Sequence, residues 1–212
     1  QGVGAHCCLP KTAWPRLIYC FLFVACRIGL FFYHPVFCVV GREHIPKDGR
    51  LLICANHSGL ADPIWIIMAL RMGHMPRVMA KKEAFDVPIL GWFLRSIGVF
   101  GIDRDGMDIS GIKTGTRCLR DEQQLLLFPE GTRVKPGRQV KAKRGAVLLA
   151  QKTDTPILPV YLTVKRRPFS KLTCVIGEPY RPTFANKRPS EEELEQATDD
   201  LMGTIYRLGE NT

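Results

Sequence analysis

Apolar and polar residues fall in alternating blocks along the chain, and the blocks predict strands and helices in turn. Arg50–Ala55 is a continuous apolar run after its first residue, bounded by Asp48-Gly49 and Asn56-His57-Ser58-Gly59, the pattern of a strand buried on both faces. Gln124–Phe128 repeats it, and Arg77–Ala80, Val99–Ile102, Pro156–Val164 and Lys171–Gly177 read as further strands. Helix-like spacing occupies Pro63–Met72, Asp86–Ser96, Met107–Glu122 and Lys143–Lys152, with Asp62 read as the N-cap of the first and Pro63 as its first helical residue. Ser190–Leu208 predicts a closing charged helix, Ser190 capping it ahead of Glu191-Glu192-Glu193. Strands alternating with helices predict an α/β domain, a mainly parallel sheet flanked by helices. In such sheets ligands bind beyond the carboxyl ends of the strands. The polar clusters fall there: Asn56-His57, Lys81-Lys82, Asp103-Arg104 and Glu130-Gly131-Thr132-Arg133.

The first residues are patterned differently. Leu17–Cys26 is an uninterrupted run of ten apolar residues; Arg27 breaks it and Ile28–Tyr33 resumes it. Ten is well short of the ~18–20 that span a bilayer as a helix. Phe31-Phe32-Tyr33-His34-Pro35 does not resemble a signal-peptide cleavage site. Lys11 and Arg16 before the run, with Trp14, Tyr19 and Tyr33, suit a headgroup boundary. The expectation is a hydrophobic, membrane-associated helical segment over residues 1–35, lying in one leaflet with Arg27 snorkelling, followed by one domain over residues 36–212. A helix buried in the core is the rival reading, and a spanning helix that carries one Arg is a further one.

Composition narrows the partners. Thirty Lys and Arg against 20 Asp and Glu give a formal charge of +10, which favours an anionic partner. Nucleic acid is disfavoured, because stacking platforms need exposed aromatics interleaved with cations, whereas these aromatics cluster in the N-terminal run and the strands. None of the eight cysteines forms a C-x-x-C pair or stands at zinc-ligand spacing with histidine, so they read as structural thiols and no metal is expected.

His57 and Asp62 stand five residues apart. On a regular helix the two would diverge by about 140°. They meet only if Ser58-Gly59-Leu60-Ala61 turns the carboxylate back beneath the imidazole, where it would fix the tautomer and raise the basicity of the outer nitrogen. A substrate hydroxyl can then be the nucleophile. A loop histidine beside a capping Asp is the bland alternative. After the Gln124–Phe128 strand, Gly131 lets the backbone come close to a ligand and Arg133 offers a planar fork for phosphate, with Arg104 and Lys82 adding two more cations. The remaining histidines, His6, His34, His44 and His74, read as structural.

Taken together, Asn56-His57-(x4)-Asp62-Pro63, Gly98-Val99-Phe100-Gly101-Ile102-Asp103-Arg104, Phe128-Pro129-Glu130-Gly131-Thr132-Arg133 and Ile157-Leu158-Pro159-Val160 resemble the glycerophospholipid acyltransferase family, in its order and spacing. The resemblance is to the bacterial 1-acyl-sn-glycerol-3-phosphate acyltransferase branch, and Lys81-Lys82-Glu83 and Lys143-Arg144-Gly145-Ala146 look like it too. It covers Val36 to Pro179 and implies a glycerol-3-phosphate acyltransferase-like fold. It further implies acyl transfer from acyl-CoA or acyl-carrier protein to the sn-2 hydroxyl of 1-acyl-sn-glycerol 3-phosphate, giving phosphatidic acid. His57 would be the general base, oriented by Asp62. Glu130 and Gly131 would help hold the acceptor, while Arg133, Arg104 and Lys82 would bind its phosphate. The proline motif around Pro159 is associated with donor binding or the fold of the site. No cofactor or metal is implied. The partners would be a lysophospholipid, the acyl donor and an anionic membrane surface, at the cytoplasmic face of the cell membrane. Gly59 stands where the family usually has Ser, and Ala84 where it usually has Leu; neither removes a charge or the base. The rivals are the same chemistry on glycerol 3-phosphate or a lyso-ornithine lipid, and a non-catalytic membrane lipid-binding protein.

Overall fold

The computed structural model describes residues 34–70, 74–86, 99–102, 109–135, 137, 138, 140–164, 169–186 and 188–210, with scattered positions between 21 and 32. Among the described residues seven strands form one sheet: β1 (Phe37–Val40), β2 (Leu51–Ala55), β3 (Arg77–Lys81), β4 (Phe100–Ile102), β5 (Gln124–Leu127), β6 (Ile157–Leu162) and β7 (Leu172–Ile176). The helices are α1 (Asp62–Ala69), α2 (Ile109–Arg120), α3 (Gly145–Thr153) and α4 (Glu191–Glu210). Strand order is β1-β7-β6-β2-β5-β3-β4. The five strands β6, β2, β5, β3 and β4 are parallel; β7 pairs antiparallel to β6, and β1 runs parallel to β7. The mainly parallel sheet flanked by helices is therefore present.

Its centre is β2, whose five residues are all wholly buried, as the continuous apolar run requires. Leu51, Ile53 and Ala55 face one core with Trp65 and Ile66 of α1; Leu52 and Cys54 face another with α3 and with Leu201 and Ile205 of α4. Burying one such Leu or Ile stabilises by about 1.5–3 kcal/mol. Among the described residues Cys54, Cys118 and Cys174 are buried, behaving as small hydrophobes. His34, His44 and His74 bond Ser170 O, Ile176 O and the Gln124 side chain.

The reversed pair β7 and β1 fixes where the chain enters. Phe37 pairs with Leu172, beyond the carboxyl end of β6, so the start of β1 lies on the same rim as the ends of the parallel strands. His34, within the expected 1–35 segment, is buried there, 5.6 Å ring to ring from Trp65. Just before it, Phe21, Val24, Ala25, Arg27, Ile28, Phe31 and Phe32 are helical and exposed. The rest of Leu17–Tyr33 lies outside the described residues. No helix among the described residues is long and apolar enough to cross a membrane. The expected helix over Asp86–Ser96 also lies outside them, except for Asp86.

Candidate active site

The rim of the sheet brings together residues 73, 76 and 106 positions apart. Asn56, the first residue after β2, is 1 % exposed and imitates a strand residue: its Nδ2 donates to Leu162 O at 2.9 Å, and its Oδ1 accepts from Leu162 N–H at 2.8 Å. That pair extends the β2–β6 pairing by one rung and fixes the chain as it leaves the sheet toward His57.

The next five residues fold back as the sequence demands. Asp62 is fully buried, and its Oδ2 accepts three donors: Ser58 N–H at 2.7 Å, Gly59 N–H at 2.8 Å and His57 Nδ1–H at 2.9 Å. The helix-capping role expected for Asp62 is corrected here. Ala61 is the N-cap, Asp62 is the first residue of α1, and Pro63 follows it. The carboxylate points back into the turn and satisfies the two amides that hold the turn closed. Orienting histidine and starting the helix therefore do not compete. With Nδ1–H given to Asp62, Nε2 is the nitrogen left to accept a proton.

Three further contacts restrain His57. Its ring stacks on Phe128, centroids 4.2 Å apart, its carbonyl accepts from Val134 N–H at 2.7 Å, and its backbone N–H donates to Glu130 Oε2 at 2.9 Å. Glu130, 4 % exposed, also accepts the Tyr206 hydroxyl on Oε1. Both oxygens of the expected acceptor-holding carboxylate are thus engaged within the protein. Burial raises its pKa above the ordinary carboxylate range, opposed by the Tyr206 hydroxyl and the His57 amide; burial likewise raises that of the Tyr206 phenol. Gly131 adopts φ 67°, the left-handed region, and a Cβ there would press on the Lys143 side chain at 3.0 Å. Its glycine is required by the turn that aims Glu130.

Lys82, directly after β3, and Arg133, after β5, are exposed. Arg104 lies outside the described residues. A cavity of about 870 Å³ opens beside the pair, lined by His57, Ser58, Glu130, Tyr161, Met202 and Tyr206 among others, with Lys135, Arg138 and Arg207 also on its walls. Lys82 and Arg133 do not line it. Sequence reasoning missed Phe128 as a stacking partner, Asn56 as a rung, and Tyr206 altogether. For Tyr206 the only sequence signal was its place beside the apolar stripe Leu194, Thr198, Leu201 and Ile205 of the last helix.

Residues 36–163 match the family described as Acyltransferase. The chain is 33 % identical to the 1-acyl-sn-glycerol-3-phosphate acyltransferase of Bacillus subtilis over 181 residues, covering 80 % of this chain and 86 % of that one. It is 29 % identical to the protein of that name from Streptococcus pneumoniae, covering 80 % of this chain and 65 % of that one. The crystal structure of the 1-acyl-sn-glycerophosphate (LPA) acyltransferase PlsC from Thermotoga maritima superposes with a TM-score of 0.66 at 26 % identity, covering 87 % of this chain and 75 % of that one. Motif order, matched residues and shared fold agree, and the chain belongs to the acyltransferase family.

Proposed function

We propose that the chain transfers a fatty acyl group from a thioester donor, acyl-CoA or acyl-carrier protein, to the sn-2 hydroxyl of 1-acyl-sn-glycerol 3-phosphate, giving phosphatidic acid. The observation that carries this reading is the His57–Asp62 pair, held at 2.9 Å with a fully buried carboxylate, in a chain whose relatives bear that activity in their names. Nε2 of His57 takes the proton of the acceptor hydroxyl as its oxygen attacks the thioester carbonyl. The carbon–oxygen bond forms, the carbon–sulfur bond breaks, and the proton passes to the departing thiolate. Asp62 stabilises the imidazolium in between, where low local dielectric makes its charge count.

Lys82, Arg104 and Arg133 hold the acceptor phosphate at the strand ends, and the cavity beside His57 receives the acyl-bearing part of a substrate. The exposed positions Phe21, Val24, Ile28, Phe31 and Phe32 support a membrane-facing segment that keeps the rim against a leaflet. Incubating the purified protein with lysophosphatidate and either acyl-CoA or acyl-carrier protein, with the product identified by mass, tests the reading. Phosphatidate with either donor is the expected result; none with both overturns it.

A further inference from the structure

The last helix takes part in the site although it lies beyond the matched residues 36–163. Tyr206 on α4 donates its hydroxyl to Oε1 of Glu130, and Oε2 of the same carboxylate accepts the backbone N–H of His57. Tyr206 and His57 thus hold opposite oxygens of one buried group. Thr198, Leu201 and Ile205 bury the inner face of α4, so the hydroxyl is delivered from a helix firmly docked on the sheet. We propose that Tyr206 is a positioning residue for acyl transfer, locking the Glu130 carboxylate so that it fixes the His57 backbone and aims Nε2 at the acceptor hydroxyl. The inference rests on His57 being the base.

The physical argument is one of restraint. A carboxylate held on both oxygens cannot turn about its last side-chain bond. Removing the hydroxyl leaves Oε1 without that donor and frees the group to rotate or draw in water. The Nδ1–Asp62 bond then holds the ring while the backbone beneath it loosens. Small errors of aim in a reacting group carry large penalties in rate.

Tyr206→Phe keeps the ring and removes only the donor. Expected is a fall in kcat of roughly 10- to 100-fold, with the KM for lysophosphatidate and for the acyl donor within about 2-fold of the parent. In a double-mutant cycle, adding Tyr206→Phe to Glu130→Ala should do little further harm, because the side chain that links Tyr206 to the His57 backbone is already gone. An unchanged kcat, a change in KM alone, or the same fold-loss in both backgrounds overturns the proposal. The last two point instead to a cavity-wall contact. If Tyr206→Phe does not fold, 4-aminophenylalanine at 206, which keeps the ring and an N–H donor, should hold kcat within about 3-fold of the parent, whereas 4-fluorophenylalanine, which keeps the bulk without a donor, should show the fall expected of Tyr206→Phe. Equal kcat in these two variants overturns the proposal. A parent enzyme that makes no phosphatidate would instead refute the acyltransferase reading.

Discussion

Nδ1 of His57 lies 2.9 Å from Oδ2 of Asp62, and that oxygen also accepts the amides of Ser58 and Gly59. One carboxylate therefore orients the proposed base and closes the turn that presents it. Asp62→Asn should lower kcat by roughly 10²–10⁴-fold through loss of the imidazolium's partner. It should also lower stability, since a neutral amide oxygen in the place of Oδ2 accepts these three donors more weakly than a carboxylate does. His57→Ala should match the loss in kcat with lysolipid binding largely kept. Single-turnover kinetics and a calorimetric binding titration separate the two effects; near-normal turnover in either variant removes the pair from the mechanism.

Arg133→Ala should act mainly on the acceptor. A charge-assisted bond to phosphate contributes about 1.5–3 kcal/mol, so the KM for lysophosphatidate should rise tenfold or more while that for the donor stays put. Arg133→Lys should recover only part of the loss if the contact is bidentate. Unchanged acceptor kinetics in Arg133→Ala and in Arg104→Ala would place the phosphate elsewhere.

Asn56→Ala strips two hydrogen bonds from Leu162 and leaves a buried N–H and C=O without those partners. A loss of about 2–4 kcal/mol in unfolding free energy follows, measurable by urea titration. Asn56→Asp should be no better, because a carboxylate cannot donate to the Leu162 carbonyl.

The Glu130 carboxyl sets a pH dependence with a definite sign. Its pKa in the folded protein is raised, chiefly by burial, so the folded state holds the proton more tightly than the unfolded state. Its stability contribution is present below the unfolded value and is lost as pH rises through the folded one. Glu130→Gln has no such titration. The melting temperature of the parent relative to Glu130→Gln should therefore fall as pH is raised through the carboxylate range, and a difference flat in pH refutes this.

A chain beginning at His34 should fold, because His34 and Phe37 both pack on Trp65. It should leave anionic liposomes that the full chain keeps in moderate salt, since screening weakens the basic contribution but not the apolar one. Flotation measures both. Failure of the shorter chain to fold would make the N-terminal segment part of the core.

The strands were legible because an uninterrupted apolar run between turn residues has few other uses, and Leu51–Ala55 answers to that pattern at every position. His57 and Asp62 were legible as a pair only on the condition of a turn, and Gly59 satisfied the condition. The cap assignment slipped by one residue because an Asp before Pro is read as serving the helix ahead. Here it serves the turn behind, a direction that sequence spacing does not encode. Tyr206 was illegible because its partner lies 76 residues away and the contact depends on how α4 docks across the sheet.

Under the proposed membrane-facing reading, the reversal of β7 and β1 would decide the route by which a lipid arrives. Since β1 begins on the rim that carries His57, a chain anchored ahead of His34, as proposed, would hang from the leaflet with that edge toward the headgroups. Drawing ten methylenes of an acyl tail into water costs about 8 kcal/mol, at ~0.8 kcal/mol each. A lysolipid that slides sideways into this edge leaves its tail in hydrocarbon and lifts only the glycerol hydroxyl to the imidazole. If the N-terminal segment anchors the chain as proposed, the two backward strands set which way the enzyme lies on its bilayer.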